Sequence, residues 1–214
     1  MANELRPNIV LTGFMGTGKT AVGRRLAALT DRKFVDIDAE IVATNGDIPS
    51  IFNKEGEAHF RQLERNTVSA IAPRRNLVIA TGGGTMLDPD NVIAFLGAEV
   101  FTLTAEPSEI LRRVSAEGLD TRPLLADADD PEATITSMLA ERAESYGRFI
   151  EVDTTAKSID EVIDALRTAG APIESPEEIE AASSAADSTT RIFTIIIAAA
   201  LAVLIVLVFL VLNF

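Results

Sequence analysis

The chain has 214 residues, with 19 Lys and Arg against 32 Asp and Glu for a net charge of −13, no cysteine and one histidine, His59. The lack of cysteine excludes disulfides, thiolate metal sites and cysteine nucleophiles, and one histidine cannot build a His-rich metal centre. The acidic balance argues against nucleic-acid binding, which needs a basic face, and against general electrostatic docking on anionic lipid.

Three zones follow one another. Residues 1–170 alternate apolar runs with amphipathic stretches and hold 18 basic and 27 acidic residues. They are enough for one domain with a solid core. Residues 171–191 are rich in Pro, Ser, Ala and Glu with few large apolar side chains. They read as an acidic linker. Residues 192–214 carry no charge. No long apolar segment precedes the first motif, so no secretory signal is expected.

In chain order, the apolar run at residues 8–12 ends at glycines and predicts a buried strand. Residues 19–29 show helical spacing through Val22, Leu26 and Leu29. A short strand follows at 34–36. A long helix is expected over 55–71, with Phe60, Leu63, Thr67, Val68 and Ile71 inward. Residues 77–80 read as another buried strand, 88–96 as a helix with Pro89 near its start, and 99–103 as a fourth strand. Helices are expected over 107–115 and 132–146, a fifth strand over 149–152 and a closing helix over 159–166. Apolar strands separated by helices predict an α/β fold, a five-stranded parallel sheet with helices on both faces.

The segment Gly13-Phe14-Met15-Gly16-Thr17-Gly18-Lys19-Thr20 fits G-x-x-x-x-G-K-[ST] between a predicted strand and a predicted helix. Its glycines let backbone N–H groups turn inward around a phosphate, and the helix N-terminus adds positive potential. Lys19 is placed to reach the β- and γ-phosphates and Thr20 to hold Mg²⁺. This motif specifies nucleotide binding and leaves the phosphoryl acceptor open.

Further motifs narrow the acceptor. Asp36-Ile37-Asp38 follows the second strand, and Gly56-Glu57-Ala58-His59-Phe60-Arg61-Gln62-Leu63-Glu64 opens the long helix. Thr81-Gly82-Gly83-Gly84 follows the third strand. Thr121-Arg122-Pro123-Leu124-Leu125 and Glu141-Arg142 through Tyr146 come later. Taken singly, each has a plainer reading: a solvated strand end for Asp36 and Asp38, a surface helix pair for Arg61 and Glu64, a flexible loop for residues 82–84, an exposed helix charge for Arg142 and an ordinary loop residue for Arg122. Together and in this order they resemble shikimate kinase over residues 8–169.

The resemblance implies a three-layer sheet of the nucleoside-monophosphate-kinase type that transfers the γ-phosphoryl of ATP to the 3-hydroxyl of shikimate, with one Mg²⁺ per subunit. It implies that Gly16, Thr17, Gly18, Lys19, Thr20 and Ala21 bind the nucleotide, and that Thr20 and Asp36 serve the metal. Arg61 and Arg142 match the positions that bind the substrate carboxylate, a task suited to planar guanidinium groups. Asp38 matches the residue that binds the hydroxyls and takes the reacting proton. Gly83 and Gly84 match the loop that approaches the substrate. Arg122 matches the lid arginine that neutralises charge on the transferring group. Glu64 is expected to orient Arg61. Either Arg112 or Arg113 is expected near the adenine, with Asp153, Thr154 and Thr155 closing that end. His59 and Tyr146 are read as structural, and the catalytic domain as monomeric.

Two rivals share these motifs: a P-loop kinase of another small acceptor, such as gluconate or a nucleotide, with gluconate-like acids the nearer, and a membrane-tethered nucleotide-binding module without turnover. The family pattern gives no guidance for the tail. As a helix, residues 192–212 would span roughly 32 Å, enough for a bilayer core of about 30 Å, and they lack a polar stripe. Two residues follow, which predicts insertion after synthesis. Arg191 just before the span favours a cytoplasmic catalytic domain tethered to a membrane through a linker reaching on the order of 25 Å.

Overall fold

The computed structural model describes residues 6–118, 125 and 128–173. The tail helix expected over 192–214, most of the linker and Arg122 lie outside the described residues. Among the described residues, no helix is long and apolar enough to cross a membrane.

Five strands, β1 (Ile9–Thr12), β2 (Lys33–Asp36), β3 (Leu77–Ala80), β4 (Glu99–Thr104) and β5 (Ile150–Asp153), form one sheet in the order β2-β3-β1-β4-β5. Every pairing is parallel. The composition of each strand matches its place. The apolar runs Ile9-Val10-Leu11-Thr12 and Leu77-Val78-Ile79-Ala80 are buried along their whole length and sit at the centre and beside it. The edge strands carry charged residues, Lys33 and Asp36 in β2 and Glu151 and Asp153 in β5. A parallel sheet covered on both faces requires this gradient.

Among the described residues, seven α-helices cover the sheet: α1 (Lys19–Leu29), α2 (Ile37–Asn45), α3 (Ile48–Ile71), α4 (Pro89–Ala94), α5 (Pro107–Glu117), α6 (Pro131–Tyr146) and α7 (Ile159–Thr168). A 3₁₀ turn occupies Thr85–Leu87. One core joins Val10, Val35 and Ile79 of the sheet to Ile41 of α2, Phe60 and Val68 of α3, and Met86. A second gathers Phe14, Ile110, Val114, Leu125, Ile135 and Tyr146 beneath the loop after β1.

Two features of the fold depart from the sequence expectation. Helix α2 was not foreseen, because β2 runs into it without a turn signal. Asp36 ends the strand and is itself the N-cap, its carboxylate accepting from the Ala39 amide at 3.3 Å. Helix α3 begins at Ile48 rather than at residue 55. Asp47 caps it, accepting from the Ser50 amide at 2.9 Å. Gly56, at φ 83 and ψ 170, then breaks the helical path inside it. That break splits the periodicity, so only the half after Gly56 shows a continuous apolar face.

Asn8 ties the rear of the sheet together. It is 1% exposed, and its Nδ2 donates to the carbonyls of Arg74 at 2.7 Å and Ala72 at 3.3 Å. Its Oδ1 accepts from the Leu77 amide at 3.0 Å. One side chain thereby fixes the end of α3 and the start of β3 against β1. Replacement by alanine strands buried backbone groups. Asn8→Ala should lower unfolding stability by about 2–3 kcal/mol in a denaturant titration, with the nucleotide KM unchanged.

Candidate active site

The carboxyl ends of β1, β2 and β3 open on one side of the sheet, where open α/β sheets bind ligands beside the strand-order reversal. A cleft of about 1480 Å³ lies there. That exceeds the volume of a pocket for one small ligand.

The loop after β1 forms the nucleotide half. Gly13 has φ 126, and a Cβ there would run into the backbone carbonyl of Leu103 in β4, so only glycine fits. Gly18, at φ 92, is the N-cap of α1 and provides no side chain over the first amides of the helix. Those amides face the loop, making an anion-binding end. Thr17 Oγ1 donates to the Phe14 carbonyl at 2.8 Å and braces the turn. Lys19 Nζ donates to the carbonyls of Gly13 at 2.9 Å and Phe14 at 2.7 Å, which holds its charge over the loop.

Thr20 Oγ1 donates to Asp36 Oδ2 at 2.8 Å. This hydroxyl and this carboxylate are oxygen ligands of the kind Mg²⁺ takes. Among the described residues, no group of three His, Cys, Asp or Glu side chains could hold a metal unaided. The donor set therefore suits a cation that draws its other ligands from phosphate and water, as Mg²⁺ does in phosphoryl-transfer sites.

At the far end, Arg112 and Arg113 have different surroundings. Arg113 Nη1 donates to the Gly16 carbonyl at 3.2 Å and to Thr154 Oγ1 at 3.0 Å, and Nη2 to the Thr154 carbonyl at 2.6 Å. It locks the phosphate loop to the segment after β5. Arg112 is 69% exposed and, among the described residues, pairs with Glu109 alone, at 2.7 Å. Hydrogen bonding from Arg112, reinforced by Arg113, holds the Glu109 carboxyl down at about 2.

The acceptor half is built around Glu64, which is 1% exposed. Its Oε2 accepts from Arg61 Nη1 at 2.9 Å and its Oε1 from Thr85 Oγ1 at 2.5 Å. Arg61 also donates from Nε and Nη2 to Glu57 Oε1, at 3.2 and 3.0 Å. Burial alone would lower the Arg61 pKa, but Glu64 and Glu57 outweigh it and raise it above the ordinary value. The loop at 82–84 packs against these groups with no room for side chains at Gly82 and Gly84. A Cβ on Gly82 would lie 2.7 Å from Asp38 Oδ1 and 3.1 Å from Glu64 Oε1, and one on Gly84 would lie 2.5 Å from Arg61 Nη1. Asp38 stands in the first turn of α2, at the positive end of the helix dipole.

Arg142 comes from α6. Its guanidinium lies 5.3 Å from the centre of the Phe14 ring, and Nη1 donates to the Gly83 carbonyl at 3.3 Å. Tyr146, read from sequence as structural, has a further part: its hydroxyl donates to the same Gly83 carbonyl at 2.6 Å. Burial pushes its phenol pKa up, so it remains a donor at neutral pH.

The structure thus brings Gly16, Thr17, Gly18, Lys19, Thr20, Ala21, Asp36, Asp38, Arg61, Gly83, Gly84 and Arg142 to the walls of one cleft. Arg122 lies outside the described residues. His59 pairs with Glu55 at 3.0 Å on the exposed side of α3 and does not line the cleft. Sequence reasoning missed Glu57, Phe14 and Thr85. The i,i+4 spacing of Glu57 and Arg61 was a usable signal. Phe14 and Thr85 meet their partners only through the fold.

The pattern of the family "Shikimate kinase" matches residues 15–169. A shikimate kinase of Pelotomaculum thermopropionicum is 44% identical over 160 residues, spanning 73% of this chain and 91% of that protein. One from Geobacter metallireducens is 42% identical over 159 residues, spanning 73% and 87%. Among solved structures, shikimate kinase from Acinetobacter baumannii in complex with shikimate superposes with a TM-score of 0.69 at 35% identity, covering 78% of this chain and 94% of that one. A gluconokinase from Sinorhizobium meliloti, 17% identical with a TM-score of 0.53, shares the fold alone.

The crowding at Gly82 can be tested without reference to substrate. Gly82→Ala should cost about 1–3 kcal/mol of stability by forcing Asp38 and Glu64 apart, because its φ is not positive and the clash is purely steric. Thermal unfolding of the two proteins measures it.

Proposed function

The chain belongs to the shikimate kinase family, and we propose that the cleft at the strand ends carries out that family's reaction, transferring the γ-phosphoryl of ATP to the 3-hydroxyl of shikimate. It is an ATP-dependent phosphotransferase, with Mg²⁺ accompanying ATP. The residue assignments that follow are inferences from this chain's geometry. Their main support is the convergence of Asp38, Arg61 and Arg142 around the 82–84 loop in the cleft that also holds Lys19.

The α1 amides and Lys19 bind the β- and γ-phosphates, and Thr20 and Asp36 are the residues that would hold the metal. Mg²⁺ supplies charge neutralisation at the phosphate oxygens when bound. Arg61 and Arg142 take the substrate carboxylate from two sides, which fixes the ring. Asp38 accepts a hydrogen bond from the 3-hydroxyl and takes its proton as that oxygen attacks the γ-phosphorus and the bond to the β,γ-bridging oxygen breaks, releasing ADP. Arg122 is assigned to the lid, where it neutralises charge on the transferring group. Positioning and charge supply most of the rate. Arg112, exposed at the mouth, is the arginine assigned to the adenine, since Arg113 is committed to Gly16 and Thr154.

Residues 1–170 are assigned as the catalytic domain, 171–191 as a linker and 192–214 as a membrane tether. The support for the tether is the uncharged apolar run in the sequence. After carbonate washing of membranes, the full chain should stay in the pellet and a chain ending at Arg191 in the supernatant; equal release of both would remove the tether.

The activity test is ADP release by the full chain with ATP and Mg²⁺, with shikimate or with gluconate. Turnover should depend on shikimate. Asp38→Asn should lower kcat by about 10²-fold or more. Arg142→Ala should raise the shikimate KM by about 10- to 100-fold and leave the ATP KM within about twofold. Shikimate-independent ADP release, or an unchanged shikimate KM, would overturn the acceptor assignment.

A further inference from the structure

Arg61 is held by two carboxylates that differ in kind. Glu64 is 1% exposed and is also bonded to Thr85, so it is a fixed part of the wall. The Glu57 side chain is 65% exposed and, among the described residues, contacts Arg61 alone. Glu57 follows Gly56, where the backbone leaves the helical path. It can swing into water at little cost. An exposed ion pair of this type is weak.

The edge that Glu57 occupies matters. A guanidinium receives a carboxylate in two-pronged fashion along its Nε/Nη2 side or across its Nη1/Nη2 end. Glu64 already takes Nη1. Gly84 lies against the group, close enough that a Cβ there would meet Nη1, Nη2 and Cζ within 2.9 Å. The side left for an incoming carboxylate is Nε/Nη2, and that is where the Glu57 oxygen accepts from Arg61.

We propose that Glu57 is an affinity-setting residue: its carboxylate caps Arg61 in the empty cleft and is exchanged for the carboxylate of the acceptor when that binds. The proposal rests on the assignment of Arg61 to the acceptor's carboxylate. Exchange keeps the guanidinium neutralised and oriented at every stage, at the expense of part of the binding energy. It also discriminates. An acceptor without a carboxylate gains nothing from displacing Glu57, so hydroxyl groups alone cannot open the site.

The test is calorimetric titration of the full chain with shikimate and with its methyl ester, which keeps the ring and hydroxyls and removes the charge. Glu57→Gln should lower the shikimate Kd by about two- to fivefold, because the exchange is relieved. Glu57→Asp, which keeps the charge and loses the reach, should move it the same way. Ester affinity should stay at the parent value in both. A shikimate Kd that is unchanged or raised in both variants would overturn the exchange and make Glu57 a permanent support of Arg61. Equal tightening of the ester would overturn it as well, since the gain would then be steric. Arg61→Ala separates this from the underlying reading. If it leaves the shikimate Kd unchanged, the carboxylate assignment fails and the exchange with it; if it weakens binding while the Glu57 variants do not tighten it, the exchange alone fails.

Discussion

A carboxylate cannot be buried without a counter-charge and donors for its oxygens. Glu64 is such a carboxylate, and the acceptor half of the cleft is organised by meeting its demands. Arg61 provides the counter-charge from one turn earlier on α3, and Thr85 provides a hydroxyl from the turn after β3. Asn91 donates at 2.9 Å to the Thr85 carbonyl and so holds that turn against α4. The glycines at 82 and 84 are absent of side chains because Asp38, Glu64 and Arg61 already fill the space. Removing one partner of a buried pair typically costs about 3–5 kcal/mol. The site is consequently stiff where it must recognise shape.

The nucleotide half obeys a different constraint. Phosphate is bound by backbone amides, so the loop must present N–H groups and keep side chains out of the way. The side chains that remain are turned to bracing. Thr17 closes the loop on Phe14, Lys19 spans it, and Arg113 fastens Gly16 to Thr154. Phe14 connects the halves. It is buried in the core beneath the loop and supports Arg142 on its ring. Tyr146 and Arg142 then meet on the Gly83 carbonyl, so α6 reaches the 82–84 loop at two points.

How much of this the sequence revealed follows from the range of each interaction. The phosphate loop was legible because its chemistry is local: glycines, lysine and threonine at fixed spacing between a strand and a helix. The five strands were legible because buried parallel strands are short apolar runs. Helix α2 was not, because Asp36 serves as strand end, N-cap and partner of Thr20 at once, and no break marks the change. The front of α3 was hidden by Gly56. Arg61 and Glu64 were visible as a pair three residues apart, but nothing local distinguishes a buried pair from a solvated one. That difference comes from Thr85, 21 residues away, and from the loop packed over it. The structural reading of Tyr146 could not name its partner, because its hydroxyl meets Gly83, 63 residues distant, only in the folded chain.

An acidic chain that handles two anionic substrates must separate local charge from net charge. Screening confines the general field of the surface to about 8–10 Å, so the groups in the cleft dominate there. Three arginines of the cleft reach it already paired: Arg61 with Glu57 and Glu64, and Arg112 and Arg113 with Glu109. Pairing lowers the net attraction for anions but fixes each guanidinium in its plane, so little is left to reorganise when a substrate arrives. Arg24, also on the cleft wall, lies over the Phe34 ring, and beside the 82–84 loop Arg142 is the exception. Among the described residues it makes no ion pair and is held by an aromatic ring and a carbonyl. Its charge is therefore less compensated than that of Arg61, the other arginine beside that loop. On the proposed assignment of both to the acceptor's carboxylate, recognition divides between an arginine that attracts and an arginine that is already shaped to receive.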